Sequence, residues 1–228
     1  MAAYKAVFFV SHEKFHKTVR EESLESLTSL SNMKNKVKKL GGSMILDTDY
    51  KWFMFINERV SIYPLIDNVM IFFAEYVQYA FVLLLIMLWW RNKKNDRIIV
   101  FQALFAFSLS YSVNRLIELF LYRERPFITH DIIQLVEHAA NSSFPSDHAS
   151  SALSIAITLM VVTFRYRYLW CLFAILIAFS RVWVGVHYPF DVLVGALSGV
   201  LIALVTHFSL IKKKPIAQFL RRPIFNPY

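Results

Sequence analysis

The sequence predicts an all-α membrane protein: a polytopic bundle of about five transmembrane helices, preceded by an amphipathic helix that lies at the membrane interface. Hydrophobic residues make up 57% of the 228-residue chain, whereas a typical soluble domain has about 45–50%. Charged residues make up only 18%. The apolar residues are concentrated in runs that approach or reach the roughly 20 residues that a helix needs to cross a bilayer.

Five such runs follow one another from the middle of the chain to near its end. Residues 50–63 precede them and combine aromatic residues such as Trp52 with charged residues such as Lys51, so this segment is too short and too charged to span and predicts an interfacial helix. A short helix is also predicted at residues 131–140, within the longest connection between spans. The predicted spans are residues 68–90, 98–121, 146–164, 168–184 and 190–210.

The first 43 residues differ from the rest of the chain in composition. They carry a lysine-rich segment and end in a Gly-Gly-Ser sequence before Met44, which resembles a linker followed by a start. The apolar run Ala6–Val10 is too short for a signal peptide. We therefore expect residues 1–43 to be an extension, either a fusion or a mis-assigned start, residues 44–214 to form the membrane domain, and residues 215–228 to form a cytoplasmic tail.

The net charge of +9 is distributed in short basic clusters beside the predicted spans. This pattern orients a membrane protein and argues against nucleic acid as the partner. With five spans, the clusters after the first, third and fifth spans fall on one face, which is predicted to be cytoplasmic. The cluster residues are Arg91, Lys93, Lys94, Arg97, Arg165, Arg167, Lys212, Lys213, Lys214, Arg221 and Arg222.

Three polar stretches lie at span ends on the opposite, outward face, and together they contain the residue types that transfer a phosphoryl group without a metal ion. Arginines can hold phosphate oxygens, one histidine can attack phosphorus, another can donate a proton, and a carboxylate can orient the nucleophile. No metal and no cofactor is predicted, because the arginines would repel a cation and no third metal ligand has a compatible spacing. The stretches are Arg123-Glu124-Arg125-Pro126, Phe144-Pro145-Ser146-Asp147-His148, and Ser180-Arg181 followed by His187 and Asp191.

These stretches resemble the three signatures of the type 2 phosphatidic-acid phosphatase superfamily, and the resemblance covers about residues 50–210. The third signature, Ser-Arg-x5-His-x3-Asp, is matched in full. The second, usually Pro-Ser-Gly-His, has Asp147 in place of the glycine, and the first, Lys-x6-Arg-Pro, has Glu118 in place of the lysine. The Pro-Ser-Asp-His form and the run around His187 are most similar to bacterial undecaprenyl-diphosphatases of the bacitracin-resistance type.

The resemblance implies a two-step mechanism through a phosphohistidine. His187 would be the nucleophile, Asp191 would hold one of its ring nitrogens, and His148 would protonate the leaving oxygen and then activate water. The free amides at the start of the third span would help to bind the phosphate. The predicted phosphate-binding side chains are those of Arg125, Arg181, Ser146 and Asp147.

The two departures from the signatures leave alternatives open. Asp147 could pair with Arg123 or Arg125 or tune the neighbouring histidine, and its hypothesised role is to recognise a diphosphate headgroup rather than a monoester. The missing lysine leaves either Arg115 or Arg123 as the replacement cation. In the other interpretation, Glu118 simply neutralises Arg115, which lies three residues earlier on the same helix.

Other polar and small residues have both a structural and a functional interpretation. Glu75 lies inside the first span, where an ionisable group either serves the site or pairs with a nearby cation. Glu137, His138 and Asn141 either contact the outer phosphate of the substrate or only cap and solvate the loop. Gly195 and Gly199 form a small-residue stripe that either packs within the bundle or supports a dimer.

The predicted function is hydrolysis of undecaprenyl diphosphate to undecaprenyl phosphate and inorganic phosphate at the outer face of a bacterial plasma membrane. This reaction would recycle the cell-wall lipid carrier and raise tolerance to bacitracin. One alternative is a phosphatidylglycerophosphate or phosphatidate phosphatase, because the motifs recognise phosphate and not the tail. The other is a lipid or anion transporter, which would show internal repeats and broken helices. The predicted partners are the polyprenyl diphosphate substrate and membrane lipids.

Overall fold

The computed structural model describes residues 44–91, 93–162 and 165–211, which fall into two compact units that divide between Thr48 and Asp49. Residues 44–48 of the first unit are helical. All three polar stretches lie in the second unit. Three expectations fall outside the described residues: the extension 1–43, the basic cluster from Lys212 onward and the tail 215–228.

The described part of the second unit is entirely helical apart from turns and connections, and no strand occurs in it, which confirms the predicted all-α class. Its helices are α1 (residues 49–57), α2 (Pro64–Glu75), α3 (Val77–Trp90), α4 (Lys94–Phe120), α5 (Pro126–Thr129), α6 (Asp147–Val161), α7 (Arg167–Trp183) and α8 (Pro189–Ile211).

Two of the described helices are long and apolar enough to cross a bilayer: Asp96–Phe120 within α4 and Pro189–Ser209 within α8. A third crossing results if α2 and α3, which are bent by 43° relative to each other, count as one broken span. The predicted count of about five spans is therefore not confirmed. The sequence also predicted one continuous helix over residues 68–90, whereas the structure breaks it at Tyr76.

Helix α6 lies in the middle of the bundle and packs against α3, α4, α7 and α8. It has 15 residues, which corresponds to a length of about 22 Å, less than the roughly 30 Å of a bilayer core. Most of its residues are buried by the neighbouring helices. Protein packing, rather than the thickness of the membrane, therefore sets the length of this helix.

Helix α8 approaches α6 so closely that two of its glycines leave no room for a side chain. A Cβ atom at Gly195 would lie 2.5 Å from the carbonyl oxygen of Ser146, and one at Gly199 would lie still closer to the carbonyl oxygen of Ser150. The glycine stripe is used for packing within the bundle, which is one of its two predicted roles. This close packing places the first turn of α6 beside the first turn of α8.

Residues 131–140 form no helix, so the short helix predicted there is wrong. Their backbone polar groups find partners elsewhere in the protein: the Asn57 side chain accepts a hydrogen bond from the Ile133 N–H over 3.0 Å and donates one to the Ile133 carbonyl over 2.7 Å. The described connection between α4 and α6 does contain one short helix, α5, but it lies earlier in the chain and begins at Pro126.

The amphipathic helix predicted before the spans corresponds to α1. It ends at residue 57, before the predicted end, and a turn follows. The ring of Phe53 is fully buried, whereas Trp52 and Phe55 are exposed. One side of α1 therefore packs on the bundle and the other presents aromatic rings, and its place at a membrane interface stays a prediction.

Candidate active site

The three polar stretches meet at one end of the bundle, because each lies where a helix begins or ends. Arg125 directly precedes α5, and Ser146 caps α6, its hydroxyl oxygen accepting a hydrogen bond from a backbone N–H of the first turn. Arg181 lies in the last turn of α7, and Asp191 lies in the first turn of α8. His187 lies in the short turn that joins these two helices.

Two hydrogen bonds fix the tautomer and the orientation of His187, which is only 2% exposed. The ring nitrogen Nδ1 lies 2.8 Å from the carbonyl oxygen of Ser143, and Nε2 lies 3.2 Å from Nη1 of Arg125. Because a carbonyl oxygen only accepts and a guanidinium only donates, Nδ1 carries the proton and Nε2 keeps its lone pair. Nε2 is therefore the nitrogen that can act as a nucleophile.

Burial, followed by the positive charges of Arg125 and Arg181, lowers the pKa of His187 well below its ordinary value of 6.5. The ring is therefore neutral at neutral pH in the free site. A neutral ring with an unprotonated Nε2 is the form that can attack phosphorus.

Asp191 is fully buried, and its carboxylate reaches His187 through a serine. One oxygen accepts hydrogen bonds from the Ser143 hydroxyl over 2.5 Å and from the Tyr188 N–H over 3.0 Å. The Ser143 hydroxyl also lies 3.3 Å from Nδ1 of His187. Sequence reasoning placed Asp191 directly on the ring; in the structure the main partner of Nδ1 is the backbone carbonyl of Ser143, and the carboxylate holds the serine.

Arg123 holds the other oxygen of the Asp191 carboxylate. Its Nη1 lies 2.7 Å from Asp191 Oδ1 and 2.8 Å from a carboxylate oxygen of Asp49. The guanidinium also lies 3.8 Å above the centre of the Tyr188 ring. Arg123 therefore lies between two buried carboxylates and is paired with both, so it is not a free cation for phosphate.

Arg125 is buried and uses its guanidinium as a clamp on three parts of the site. Nε and Nη2 donate to the side-chain oxygen of Asn141 over 3.0 and 2.8 Å, Nη2 donates to the Ser142 carbonyl over 3.1 Å, and Nη1 donates to the Val186 carbonyl over 2.8 Å. Burial lowers the pKa of Arg125 to about 10, so the group stays charged at neutral pH. Its charge lies directly beside the lone pair of His187.

Arg181 is buried beneath the site, where the break between α2 and α3 provides its partners. Its Nη1 donates to the Ala74 carbonyl over 3.0 Å, and Glu75 lies 3.9 Å from the same nitrogen. Its Nε has no hydrogen-bond partner among the described residues. A buried N–H without a partner is a donor that an anion could satisfy. Glu75 therefore pairs loosely with a predicted phosphate-binding residue, which corresponds to the structural interpretation of that glutamate.

The second histidine of the site has a different environment. His148 is partly exposed in the first turn of α6 and lines, together with Asp147, a cavity of about 410 Å³ between α3, α4 and α6. It is close enough to His187 for the two rings to interact electrostatically. A partly exposed histidine that lines a cavity can be reached by the leaving group of a substrate.

Comparison with known proteins agrees with this geometry. The model of the PAP2 superfamily matches residues 99–214. The chain is 34% identical over 169 residues to the bacitracin transport permease protein BcrC of Bacillus licheniformis, covering 74% of this chain and 83% of that protein. It is 36% identical over 137 residues to the undecaprenyl-diphosphatase BcrC of Bacillus subtilis, covering 60% of this chain and 71% of that protein. The chain belongs to the PAP2 superfamily.

A solved structure shows the same fold. The transmembrane PAP2-type phosphatidylglycerolphosphate phosphatase from Bacillus subtilis superposes with a TM-score of 0.59 and 22% identity, covering 75% of this chain and 88% of that one. The match of the family model confirms the family resemblance predicted from the three motifs. The superposition shows that the helical bundle has the same fold as that solved structure.

The two departures of this PAP2 chain from the family signatures, Asp147 and Glu118, contact the same residue, Arg115. The Asp147 carboxylate forms a short ion pair with Arg115 and accepts a hydrogen bond from the Asn114 amide over 3.0 Å. Glu118 lies 2.5 Å from the same guanidinium. Arg115, rather than Arg123 or Arg125, is the partner of Asp147, and Glu118 also neutralises it, as one of the two alternatives predicted.

His138 lies over the site, on the connection that precedes α6. Its ring centre is 6.3 Å from that of His187, and its Nδ1 lies 3.2 Å from the carbonyl oxygen of Ala139. Burial, followed by the charge of Arg125, lowers the pKa of His138. The predicted secondary residue His138 is thus in the site, beside the ring of His187.

Sequence reasoning missed two residues in the network of contacts around His187 and Asp191. Ser143 directly precedes the second motif, so its position in the chain was a usable signal. Asp49 had none, because it lies on α1, far along the chain from the motifs. Among residues 44–91, 93–162 and 165–211, no group of three or more His, Cys, Asp or Glu side chains is placed to hold a metal ion.

Proposed function

We propose that this protein hydrolyses undecaprenyl diphosphate to undecaprenyl phosphate and inorganic phosphate in a bacterial plasma membrane. The observation that carries the proposal is the nucleophile: a neutral His187 with its Nε2 lone pair beside the guanidinium of Arg125. The substrate assignment follows the Bacillus subtilis relative, whose name is that of an undecaprenyl-diphosphatase. Removal of the lipid diphosphate would raise tolerance to bacitracin.

In the first step, Nε2 of His187 attacks the terminal phosphorus of the diphosphate. An N–P bond forms, the bond from phosphorus to the bridging oxygen breaks, and the lipid phosphate leaves. His148 donates a proton to the bridging oxygen as it leaves. The Ser143 carbonyl accepts the hydrogen bond of Nδ1–H throughout, which stabilises the cationic ring of the phosphohistidine.

In the second step, His148, now neutral, takes a proton from a water molecule that attacks the phosphohistidine. The P–N bond breaks, inorganic phosphate forms and His187 returns to its neutral state. Arg125, Arg181 and the N-terminal amides of α6 stabilise the negative charge on the equatorial oxygens in both steps. Arg125 exchanges present contacts for phosphate oxygens, because its donors are used by the protein in the free site. Arg181 offers its Nε–H, which has no partner among the described residues.

Asp147 and Arg115 provide the preference for a diphosphate. Asp147 lines the cavity beside His148, on the side where the leaving phosphate must emerge, and Arg115 is ion-paired with Asp147. Asp147 holds the Arg115 guanidinium there, and a second phosphate takes over that cation. A monoester has no group at this position and gains nothing from it.

The variants Asp147→Gly and Arg115→Gln test this preference. Each should lower the ratio of diphosphate to monophosphate hydrolysis by about tenfold, since a hydrogen bond to a charged group contributes about 1.5–3 kcal/mol. Glu118→Gln is the matched control, because it also removes a carboxylate from Arg115, whereas Glu118, unlike Asp147, is not among the residues that line the cavity. An unchanged ratio in the first two variants would show that Asp147 and Arg115 do not provide the preference for a diphosphate.

The site opens to the outer side of the membrane in this proposal, because the basic clusters between spans lie at the other end. Cysteines at Glu137, near the site, and at Lys93, near a basic cluster, test it in a Cys171→Ser background, since both positions are exposed. An impermeant maleimide should label Glu137→Cys in intact cells and spare Lys93→Cys. The opposite labelling would overturn the orientation.

The reaction itself is tested by phosphate release from undecaprenyl diphosphate in detergent with excess EDTA. Release should survive EDTA in the unmodified protein, disappear in His187→Ala and persist in the control His207→Ala, whose histidine lies near the far end of α8. Loss of release with EDTA would contradict metal-free chemistry. If phosphate is released only from phosphatidylglycerophosphate or phosphatidate, that lipid is the substrate instead of undecaprenyl diphosphate. If the protein moves lipid without releasing phosphate, and His187→Ala still does so, the transporter function is supported.

A further inference from the structure

We propose that Asp49, on helix α1, is a positioning residue for the nucleophile His187. It acts through Arg123, whose positive charge it shares with the buried carboxylate of Asp191, and the inference rests on the phosphohistidine of the proposed function. Nη1 of Arg123 lies 2.8 Å from Oδ2 of Asp49 and 2.7 Å from Oδ1 of Asp191. The other oxygen of Asp191 accepts the hydrogen bond of the Ser143 hydroxyl, which also lies beside the imidazole ring.

Helix α1 is fixed over the site by side chains on one of its faces. The ring of Phe53 is fully buried, and its centre lies 5.5 Å from that of Tyr188. Asn57 holds the backbone of residues 131–140 through the two hydrogen bonds described above. Asp49, Phe53 and Asn57 follow one another at intervals of four residues, so they lie on the same side of the helix. Asp49 is therefore presented to the site by a docked helix rather than by a free end of the chain.

The two oxygens of the Asp49 carboxylate have different partners. Oδ1 accepts a hydrogen bond from the Phe190 N–H over 2.8 Å. Phe190 lies in the first turn of α8, where backbone N–H groups have no partner within the helix. Oδ2 faces Arg123, and the residue as a whole is only 7% exposed. One oxygen thus anchors the carboxylate to α8, and the other meets the guanidinium.

The charges of the three side chains show what a second carboxylate contributes. Arg123 and Asp191 alone would form a neutral pair. With Asp49 there are two negative charges and one positive charge, so the group carries a net charge of one negative unit. Because charges interact more strongly where water is excluded, this net charge acts on the neighbouring ring of His187.

The ring of His187 needs that negative charge in the first step of the reaction. When Nε2 bonds to phosphorus, Nδ1 keeps its proton, and the neutral ring becomes a cation. Arg125 and Arg181 both oppose a positive charge on this ring. A net negative group on the Nδ1 side offsets them as the charge develops, and it thereby stabilises the transition state.

Asp49→Asn isolates the charge, because the amide oxygen of asparagine can still accept a hydrogen bond from the Phe190 N–H. Under single-turnover conditions, the rate constant for release of undecaprenyl phosphate should fall by about tenfold, with the steady-state KM nearly constant. Asp49→Glu keeps the charge and should recover most of the rate. Asp47→Asn makes the same change at an exposed position and should keep the rate of the unmodified protein.

The two steps of the reaction should respond differently to Asp49→Asn, which a general loss of packing would not produce. The second step starts from the cationic ring, so removal of a negative charge should not slow it. The steady-state level of phosphohistidine in rapidly quenched protein should therefore fall below that of the unmodified protein. A distorted site would slow both steps and leave that level nearly unchanged.

Combination with a second variant tests the path of the effect. Asp49→Asn and Ser143→Ala both act on the same carboxylate, that of Asp191. Residues that act through one shared partner have non-additive effects. The double variant should therefore lose less of the first-step rate than the product of the two single losses.

An unchanged rate constant in Asp49→Asn, an equal fall in Asp47→Asn, or single losses that multiply in the double variant would overturn the role of Asp49 and leave the proposed function standing. A single-turnover rate constant does not depend on the fraction of folded protein, so partial unfolding does not imitate the expected loss. If Asp49→Asn does not fold, Asp49→Ser, which also offers an oxygen without a charge, is measured in its place. Failure of the unmodified protein to release phosphate from undecaprenyl diphosphate would overturn the proposed substrate, and this inference with it.

Discussion

The two histidines of the site lie in regions that differ in almost every physical property. Around His187 the protein is closed: the ring is buried and has hydrogen-bond partners at both nitrogens, and the groups behind it are themselves held by ion pairs. Around His148 the protein is open: the ring is partly exposed and borders an apolar cavity.

The difference separates the two demands that a lipid phosphatase must meet. Attack on phosphorus requires one fixed nitrogen in a known protonation state, which needs a rigid and desolvated surrounding. Release of a lipid requires a proton donor that a bulky leaving group can reach, which needs space and apolar walls. A single closed pocket could not satisfy both demands, so the site has a closed nucleophile side and an open leaving-group side.

The largest expected effect comes from breaking the closed side at its centre. His187→Asn keeps a donor for the Ser143 carbonyl but removes the nucleophile, and kcat/KM should fall by about 10⁴-fold or more. Acid-quenched protein should then contain no phosphohistidine when radiolabelled substrate is used. His138→Asn, at a histidine of the same site, is the control and should retain the intermediate. A labelled intermediate in His187→Asn would assign the nucleophile to another residue.

The open side should respond more weakly and in a way that depends on the leaving group. His148→Gln removes the proton donor, and hydrolysis of undecaprenyl diphosphate should fall by about 10²–10⁴-fold. With p-nitrophenyl phosphate, whose leaving group needs little protonation, attack should be nearly normal while the second step stays slow, so the phosphohistidine should accumulate. Equal losses on both substrates without accumulation would remove His148 from both proton transfers.

The link between Asp191 and His187 through Ser143 predicts a smaller effect, confined to the chemical step. Ser143→Ala removes the hydroxyl that donates a hydrogen bond to the buried carboxylate of Asp191. The value of kcat should fall by about 10–100-fold with KM nearly constant, since a hydrogen bond to a charged group contributes about 1.5–3 kcal/mol. Ser143→Thr keeps the hydroxyl and should restore most of kcat. A fall in Ser143→Thr as large as that in Ser143→Ala would attribute the effect to packing.

The smallest effect is on stability as a function of pH. The pKa of His187 in the folded protein lies below 6.5, its ordinary value, because of burial and the nearby arginines. The unfolded chain therefore binds more protons between the two values, so this contribution to stability is complete above about pH 6.5 and is lost as the pH falls below it.

Thermal unfolding of the unmodified protein and of His187→Asn in detergent measures this contribution. The melting temperature of the unmodified protein should fall by a few degrees more than that of the variant between about pH 7.5 and 5.5, since about 1 kcal/mol corresponds to roughly 2–4 °C for a chain of this size. Parallel curves would mean that His187 has an unshifted pKa in the folded state.

Much of the fold and of the candidate site followed from local features of the sequence. Apolar runs predict helices wherever they occur, and the third motif placed His187 and Asp191 on either side of the first residue of α8, Pro189. The prediction of a helix at 131–140 failed because the side chain of Asn57, which lies outside that segment, forms hydrogen bonds with the backbone of Ile133. The prediction of a continuous first span failed at Tyr76, where the helix breaks and the carbonyl of Ala74 in α2 accepts a hydrogen bond from Arg181.

The sequence by itself determined the all-α class, the family and the set of candidate phosphate-binding groups, because these depend on composition and on short spacings along the chain. The tertiary structure decided which of those groups touch: it paired Asp147 with Arg115, placed Ser143 between Asp191 and His187, and opened an apolar cavity beside His148. These contacts join residues far apart in the chain. Their geometry is set by how closely the helices pack, and the close approach of α6 and α8 at Gly195 is a packing relation that no single segment contains.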